Sequence, residues 1–365
     1  MPRQIALLTI ALVTLVSTAD AAKLGLESGK VALRSAGPLT FGPQGVLFVA
    51  DTKAATVYAI DTGEAKANAD DVKHSVTDVT GKIAGLLGTT GNAISINDMA
   101  VNPQTGTAYF SVSRGRGSDA TPVLLRLKSG EFEHIKLDSV AFSKAELPNA
   151  PEDKVVGQGR RKGNKRLMSI TDMAYIDNRL IVSGLSNEEF ASNLRAFEFP
   201  FEKSTKGASV EIYHGAHGKY ETRSPVRTFV PFNIGGEPHV LAAYTCTPLV
   251  KFPVSKLAKG EKVRGTTVAE LGNRNRPLDM ITYEKDGKDY LLMSNSARGV
   301  MKISTAELDR SEGITERISG VAGQKYDTVG SLKDVVQLDK LNDKHAVVLV
   351  QAQGKPADLK TVPLP

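Results

Sequence analysis

The stretch SINDMAVNP, which runs from Ser95 to Pro103, recurs with small changes at two later places in the chain. SITDMAYID runs from Ser169 to Asp177, and RPLDMITYE runs from Arg276 to Glu284. Each copy is followed by a polar turn with Gly or Asn, a second strand-like run, a loop and a third run, as antiparallel hairpins require. The repetition therefore predicts a modular all-β fold.

Three weaker copies follow the same template, and they start at Leu39, Val226 and Lys333. Consecutive copies are 52 to 74 residues apart when they are aligned on the repeated Asp. One more strand-like run, such as HSVTDV at 74–79, separates neighbouring copies. Four short antiparallel strands repeated six times predict a six-bladed β-propeller.

Closure of the ring is also predicted. The last copy ends at its third strand, at Pro365, so its blade lacks a fourth strand. The segment GKVALRS, Gly29 to Ser35, is a spare strand, and we expect this N-terminal strand to close the last blade and to cover both edges. A β-sandwich explains neither the six copies nor the missing strand. A seventh blade would have to lie in the 74-residue interval between Asp98 and Asp172.

The N-terminal residues have the pattern of a secretory signal peptide. Arg3 is followed by an apolar run, Ile5 to Val16, and by small residues at the expected cleavage site. We expect a signal peptide at 1–22 and a single β-propeller domain at 23–365, located in the periplasm or secreted. The apolar run is too short to span a bilayer, and no later segment is apolar for long enough, so we expect no membrane span. We expect a monomer.

The first copy, GPLTFGPQGVLFVADTKAATVYAID at 37–61, resembles the repeats of the NHL and SMP-30/gluconolactonase-like propellers. Those repeats carry a Pro, an aliphatic strand, a Gly turn, the letters VAD and a third strand. The resemblance is one of repeat pattern over most of the chain after the signal peptide. It implies a propeller of this general kind.

The SMP-30-like lactonases provide the alternative function, a metal-dependent hydrolase or lactonase that uses the same face. Asn97 matches a substrate-contacting Asn of that family. The family also has an Asn and an Asp at this position in later blades, as ligands of its metal. The corresponding residues here are Thr171, Val226, Leu278 and Lys333. The resemblance therefore does not carry over the calcium site, and whether the protein is an enzyme stays open.

The repeated Asp marks the entry of the innermost strand of each blade. In a propeller this entry loop and the loop between the second and third strands open on one face, which we call the upper face. Recurrence favours a scaffold role, in which each Asp accepts hydrogen bonds from backbone amides and joins blade to blade. Asn97 has no Asn counterpart in the other copies, so it is the better functional candidate. The aligned residues are Thr40, Asp98, Asp172, Arg227, Asp279 and Asp334.

Basic residues are expected on the same face, and the formal net charge is +6. The guanidinium group presents a planar set of donors that suits carboxylate or phosphate. We therefore predict that the upper face binds a small anionic molecule or an acidic protein surface. Export and the lack of interleaved aromatic residues disfavour nucleic acid. The candidate ligand-binding residues are Asn97, Asp98, Arg114, Asp172, Arg227, Arg276, Asp279, Arg298 and Asp334, and a basic insertion lies at 157–166.

Metal binding is a further candidate property. His214 and His217 lie in the loop YHGAHGKYETR, and Cys246 lies in a later loop on the same side. Histidines with nearby carboxylates could hold a divalent metal, either a transition metal or calcium. The spacing matches no recognised ligand motif, and exposed loop histidines are the alternative. Because Cys246 is the only cysteine, an intrachain disulfide and covalent c-type haem are excluded.

Overall fold

The protein is described here by a computed structural model that covers residues 24–159, 162–201, 206–246, 248–257 and 260–365. The signal peptide predicted at 1–22 lies outside these residues. In chain order, the strands of the first half are β1 (Glu27–Gly29), β2 (Leu39–Phe41), β3 (Leu47–Asp51), β4 (Thr56–Ile60), β5 (Ser75–Val76), β6 (Ile94–Val101), β7 (Ala108–Arg114), β8 (Thr121–Lys128), β9 (Glu131–His134), β10 (Val140–Glu146), β11 (Val155–Val156), β12 (Gly163–Asn164), β13 (Asp172–Ile176), β14 (Arg179–Leu185) and β15 (Ser192–Glu198).

The second half continues the same pattern of short strands. These strands are β16 (Ala208–His214), β17 (Lys219–Glu221), β18 (Thr228–Ile234), β19 (Glu237–Ala243), β20 (Pro248–Pro253), β21 (Lys262–Arg264), β22 (Thr266–Leu271), β23 (Pro277–Lys285), β24 (Lys288–Asn295), β25 (Gly299–Ser304), β26 (Val321–Gly323), β27 (Tyr326–Thr328), β28 (Val335–Lys340), β29 (His345–Val350) and β30 (Asp358–Pro363).

One α-helix, α1 (Val79–Leu86), is present among the described residues. Its first turn is capped by the side chain of Asp78, which accepts a hydrogen bond of 2.8 Å from the Gly81 amide. No helix within the described ranges is long and apolar enough to cross a membrane. Short 3-10 turns are found at Pro43–Gly45, Ala69–Asp71, Gly91–Ala93, Gly117–Asp119, Lys165–Met168 and Val254–Lys256.

The strands form six antiparallel blades arranged in a ring, which confirms the predicted six-bladed β-propeller. From the channel outward, blade 1 is β2-β3-β4-β10, with β1 outside it, and blade 2 is β6-β7-β8-β9. Blade 3 is β13-β14-β15-β16, with β17 and β21 beside β16, and blade 4 is β18-β19-β20-β22, with β26 outside. Blade 5 is β23-β24-β25-β27, and blade 6 is β28-β29-β30-β5.

The order of the blades around the ring differs from their order in the chain. Blade 2 lies between blades 1 and 6, and blade 1 lies between blades 2 and 3. Around the ring the sequence is therefore 2-1-3-4-5-6. A separate hydrophobic cluster fills each of the six interfaces between neighbouring blades, and α1 packs into the one between blades 2 and 6. Each blade thus buries both faces against its neighbours.

Because blades 1 and 2 have exchanged places in the ring, the chain must pass along blade 2 after it leaves blade 1. Glu64 holds this connection to blade 2, because its carboxylate accepts hydrogen bonds from Asn102, Thr105, Thr107 and Tyr109. The connection then delivers β5 to the outer edge of blade 6. After blade 2 is complete, the chain returns and adds β10 to blade 1.

This path corrects the expectation that the segment 29–35 closes the last blade. The last blade does receive its fourth strand from an earlier part of the chain, but the strand is β5, in which Ser75 pairs with Lys360, and not 29–35. Residues 27–29 instead pair with β10 at the outside of blade 1. The following residues are fixed to blade 1 by Asp51, whose carboxylate accepts hydrogen bonds from the amides of Arg34 (2.6 Å) and Ser35 (3.0 Å).

Candidate functional site: an aspartate ring and an arginine-lined cleft

Four aspartates line the central channel, which encloses a cavity of about 220 Å³. We call them the aspartate ring, and they are Asp98, Asp172, Asp279 and Asp339. Each joins its own blade to the next one around the ring, because an Oδ2 atom accepts a hydrogen bond of 2.7–2.9 Å from a backbone amide of the neighbouring innermost strand. The donors are Leu39, Phe229, Leu338 and Val101 respectively.

These aspartates also accept a second hydrogen bond from the backbone, which for Asp98 comes from the amide of Met99. In Asp172, Asp279 and Asp339 the Oδ1 atom accepts from the amide of the following residue, at 2.7–2.8 Å. Within the described ranges, no three of the ring oxygens converge within 4.8 Å of one another, as a shared metal ion would require. The geometry therefore has the form of the scaffold role predicted from the recurrence of Asp.

The ring carboxyls lie close enough together to affect one another's ionisation. Burial is the main cause that raises the pKa of Asp98 and of Asp279 well above the ordinary value, and the neighbouring carboxylates add to it. Burial likewise raises the pKa of Asp172 to about 7 and that of Asp339 to about 6. The nearby amine of Lys340 bonds to Asp343 instead, at 2.7 Å. Burial thus favours the protonated form of all four ring carboxyls relative to ordinary aspartates.

In the sixth blade, the aspartate that belongs to the ring is not the one that the sequence predicted. Asp334 is exposed and lies before β28, so it does not belong to the ring. A bulge between Val335 and Gln337 puts Gln337 at the position that Asp98 holds after the matching bulge in β6. Asp339 lies two residues further on, on the same face of the strand, and supplies the carboxylate. The signal that could have identified it is the second Asp in KDVVQLDK.

Two adjoining cavities open on the upper face, with volumes of about 710 and 440 Å³. Asn97 and Arg227 line both of them, so we treat the two as one feature, the upper cleft. Arg116, Arg276 and Gln337 line the larger part. Three of the cleft residues, Asn97, Arg227 and Arg276, are among the predicted ligand-binding residues.

Arg227 and Arg276 face the same part of the cleft. Burial lowers the pKa of the half-buried Arg227 guanidinium, and the positive charge of Arg276 lowers it further. The Nε atom of Arg227 donates to the Thr245 hydroxyl at 3.1 Å. Within the described ranges, no carboxylate forms an ion pair with either arginine. The cleft therefore carries positive charge that the protein itself does not neutralise there.

The third arginine of the cleft is fixed by the backbone beneath it. Arg116 donates from Nε to the Asn92 carbonyl at 2.8 Å and from Nη1 to the Ser95 hydroxyl at 2.5 Å. Its position results from the loop after β7, which turns at Gly115 with φ 95°. Arg114, the residue predicted for this role, is exposed and lies outside the lining of both cavities.

Arg298 also lies outside the cleft. Its Nη2 atom donates to the Asn273 carbonyl at 3.3 Å, and its guanidinium covers Gly272 so closely that a Cβ atom there would collide with Nη2. Gly272 has φ 101°, in the region that favours glycine. Arg298 therefore braces the loop between blades 4 and 5.

Asn97 is anchored at the boundary between the two cavities. Its Nδ2 atom donates to the Ala36 carbonyl at 2.7 Å and to the Ser113 hydroxyl at 2.8 Å. Its backbone carbonyl accepts from Nε2 of Gln337 at 3.0 Å. Both amide hydrogens are thereby used, and among the described residues nothing donates to Oδ1. The side chain is fixed in place and offers one acceptor to a ligand.

A separate cluster lies on the hairpin of β16 and β17. The carboxylate of Glu221 contacts Nδ1 of His214 at 3.2 Å and Nδ1 of His217 at 2.6 Å. The hydrogen bond with His214 is the largest of the causes that lower the pKa of Glu221 to about 2. This is the only group of three possible metal ligands among the described residues. It contains both predicted histidines, and Glu221 is the member that the sequence prediction missed. Cys246 is not in the group.

Only part of the basic insertion at 157–166 lies among the described residues. Arg160 and Arg161 lie outside the described residues. The Arg166 side chain is fixed by a contact outside the cleft, because its Nε atom donates to the Pro151 carbonyl at 2.5 Å. No described basic side chain of the insertion lines the upper cleft.

Comparison with known proteins does not assign the chain to a family. No protein-family model and no curated protein matches the chain. Similar solved structures include an oxidoreductase (glucose dehydrogenase) from Thermus thermophilus, with 12% identity, 93% of this chain and 100% of that chain covered, and a TM-score of 0.35. Drosophila Semaphorin 1b has 10% identity, 93% and 87% covered, and a TM-score of 0.39. PQQ-bound aldose sugar dehydrogenase from Streptomyces coelicolor has 10% identity, 92% and 96% covered, and a TM-score of 0.28. At these values the likeness carries no inference about activity.

Proposed function

We propose that the protein binds a small anionic molecule, one that carries a carboxylate or phosphate group, in the upper cleft. The observation that carries the proposal is the convergence of Arg116, Arg227 and Arg276 on one cavity with no carboxylate paired to them among the described residues. A guanidinium group presents parallel N–H donors that match the two oxygens of a carboxylate or phosphate. The ligand supplies the negative charge that the cleft lacks.

The size and lining of the cleft suit a small molecule. Its larger cavity, about 710 Å³, falls in the range of known small-molecule sites. Asn97 and Gln337 stand beside the arginines, and the Oδ1 atom of Asn97 can accept a hydrogen bond from a hydroxyl group of the ligand. An acidic protein surface is the competing partner. A concave site with convergent donors favours the small molecule, because a protein surface reaches such a recess only with a protruding segment.

A metal-dependent hydrolase in the same cleft is supported less well. Such an enzyme would need several ligand side chains to converge there. Among the described residues the one candidate group lies on blade 3, on the hairpin of β16 and β17, and none of its members lines the cleft. The resemblance to SMP-30-like and NHL propellers, the signal peptide, the exported location and the monomeric state are further parts of the proposal, and the sequence patterns alone support them.

A direct test measures ligand binding to the purified chain. Thermal shift and calorimetry would compare sugar phosphates and di- or tricarboxylates with neutral sugars of the same size. We expect one anionic class to bind saturably. Loss of a charged hydrogen bond costs about 1.5–3 kcal/mol, so Arg227→Gln and Arg276→Gln should each weaken binding about 10-fold to 100-fold.

The matched control is Arg310→Gln. It removes the same charge from an exposed position outside the cleft. We expect its ligand affinity to stay within about twofold of wild type, since distant exposed charges are screened at 0.15 M salt. Equal losses in all three variants, or no binding by either anionic class, would contradict the proposal. Binding of an acidic protein without any small anion would point to the partner surface instead.

A further inference from the structure

We propose that His214, His217 and Glu221 form a binding site for one transition-metal ion of the zinc type. The site is independent of the anion-binding cleft. Two imidazoles and a carboxylate are the ligand types that Zn²⁺ takes in sites with three protein ligands and one open position. Calcium is disfavoured, because it requires six to eight oxygen ligands.

The hairpin of β16 and β17 brings the three side chains together. His214 pairs with Lys219 across the hairpin, and Glu221 lies two residues further along β17, on the same face and diagonal to His214. The turn is closed by hydrogen bonds from the amides of His217 and Gly218 to the His214 carbonyl, at 3.1 and 2.8 Å. This turn folds His217 back beside His214, with the ring centroids 3.9 Å apart.

The donor atoms are close to the spacing that a metal ion needs. One possible ligand atom from each residue lies within 4.8 Å of the other two. Zinc–ligand distances of about 2.0–2.1 Å in a tetrahedron place the ligand atoms about 3.4 Å apart. The His214–Glu221 distance of 3.2 Å is already near this value, and the His217–Glu221 distance of 2.6 Å needs to open by less than about 1 Å. His217 is the side chain that can move, because about half of it (49%) is exposed.

A second observation concerns atoms without partners beside the cluster. The ring of His214 is only 3% exposed, and its Nε2 atom has no hydrogen-bond partner. Glu270, from β22 of the neighbouring blade, is fully buried, and its Oε2 atom also has no partner, whereas Oε1 accepts from the Gly215 amide at 2.5 Å. Because Gly215 directly follows His214 in the chain, this hydrogen bond places the Glu270 carboxylate beside His214.

This arrangement is the one that a metal-binding histidine requires. Such a histidine binds the ion through one ring nitrogen and presents the other N–H to a carboxylate, which fixes its tautomer and orientation. In His214, Nδ1 contacts Glu221, and Glu270 is the buried carboxylate beside this residue that has an oxygen without a partner. Buried polar atoms without a hydrogen-bond partner are rare in native proteins. A metal ion on Nδ1 of His214 would hold the ring proton on Nε2 and so provide a donor for a carboxylate such as Glu270.

The test uses tag-free full-length protein that has been treated with a chelator. Zn²⁺ is titrated in competition with a coloured chelator, and the bound metal is counted by elemental analysis. We expect one ion per chain and a dissociation constant below the micromolar range. His217→Gln and Glu221→Gln should each weaken binding by a factor on the order of 100 or more, since loss of even a residue that only orients a metal ligand costs about 10-fold to 100-fold. His217→Gln is the decisive variant, because the exposed side chain can be replaced without disturbing the fold.

The control is His134→Gln, which alters an exposed histidine in β9 and should leave the affinity unchanged. Zn²⁺ should raise the melting temperature of the wild type and of His134→Gln, but not that of His217→Gln. Retention of the ion in His217→Gln and Glu221→Gln, or the absence of saturable binding in the wild type, would overturn the proposal. Arg276→Gln should bind Zn²⁺ normally, so failure of the anion site and failure of the metal site can be told apart.

Discussion

Asp98 and Asn97 are neighbours in the chain, but they belong to opposite kinds of surface. Asp98 faces the channel, and its Oδ2 atom accepts from the amide of Leu39 in the adjoining blade. Asn97 faces the upper cleft, where its Oδ1 atom has no partner among the described residues and where Arg227 and Arg276 lie. Within the described part of the chain, the channel is lined by carboxyls without paired cations, and the cleft by arginines without paired carboxylates.

The contrast distinguishes residues that hold the blades together from residues that are candidates for binding a ligand. The ring aspartates recur in four blades, and their oxygens are used by the protein, so they have little capacity left for a ligand. The cleft residues occur once each, and between them they keep hydrogen-bonding atoms and positive charge that the protein does not use. In a repeated fold, a residue that recurs with the blade serves the joints between blades. A residue that departs from the repeat is the better candidate for function.

The largest effect that tests this contrast is on stability. Asp279→Ala removes the acceptor of two buried amides, those of Met280 and Leu338. An unsatisfied buried donor costs about 1–3 kcal/mol, so we expect the free energy of unfolding at about pH 5.5 to fall by about 2–5 kcal/mol. Urea unfolding measures this loss. Anion affinity of the folded variant should stay within about twofold of wild type, because the change leaves the cleft charges in place.

The control for this variant is Asp334→Asn. Asp334 is exposed, has φ 56°, and stands at the entry of β28 without a ring contact. Asn tolerates that backbone conformation, so the change should alter the unfolding free energy by less than about 0.5 kcal/mol. A loss as large as that of Asp279→Ala would mean that the position of the carboxyl in the ring is irrelevant, and the scaffold role would be refuted.

The second effect is a dependence of stability on pH. The folded-state pKa values of Asp172 (about 7) and Asp339 (about 6) lie above that of an ordinary carboxyl, so the folded protein binds protons that the unfolded chain releases. Their contribution to stability is complete below about pH 4 and is lost as the pH rises through about 6 and 7. We expect wild type to be less stable at about pH 8 than at about pH 5 by on the order of 4 kcal/mol.

Chemical unfolding at a series of pH values measures this slope, and Asp172→Asn should make it shallower. Glu221 has the opposite sign, because its pKa is lowered to about 2. Its contribution is lost only as the pH falls from the ordinary carboxyl range towards about 2, so it does not affect the interval from about pH 5 to 8. Stability that rises over this interval, or an unchanged slope in Asp172→Asn, would show that the ring carboxyls titrate normally.

The same contrast explains how much of the fold the sequence could predict. The six copies were recognisable because each blade repeats its own strand and turn pattern. The order of blades 1 and 2 in the ring could not be predicted, because β5 and the segment 29–35 have equally strand-like sequences. Neither sequence indicates which edge of which sheet its strand will join. The choice of sheet edge depends on long-range contacts such as those between Glu64 and blade 2. The carboxylate of Glu64 accepts a hydrogen bond from Thr105, which lies 41 residues further along the chain.

The candidate site was predictable to a similar degree. Asn97, Arg227 and Arg276 follow from their place in the repeat. The sequence predicts Arg114 as the cleft residue of this loop. Because the chain turns at Gly115, Arg116 lines the cleft instead, and the sequence alone does not show this turn. Glu221 joins the two histidines only because the β16–β17 register sets it diagonally across the hairpin. Pairing register, which is a property of two strands together, decided both the ring and the metal cluster.

The third prediction concerns the cleft charges. Arg276→Gln removes a repulsion from Arg227, whose pKa the Arg276 charge lowers. We expect the unfolding free energy to stay the same or to rise by up to about 0.5 kcal/mol, in contrast to the large loss at Asp279. Any gain should shrink in about 0.5 M salt, where exposed charges are screened. Urea unfolding at low and high salt measures it, and a clear destabilisation would mean that Arg276 has a structural role like that of a ring aspartate.

The smallest effect is expected at Asn97. Asn97→Ala removes hydrogen bonds to Ala36 and Ser113 at a solvent-exposed position, and it deletes the acceptor Oδ1 that we assign to the ligand. A neutral hydrogen bond contributes about 0.5–1.5 kcal/mol, so affinity for the anionic ligand should fall about threefold to tenfold. Asn233→Ala is the matched control, since it deletes an exposed amide of the same kind outside the lining of the cleft. Calorimetry would compare the two. If both variants bind as wild type does, Asn97 only supports the loop at Ala36, and the cleft recognises its ligand through charge alone.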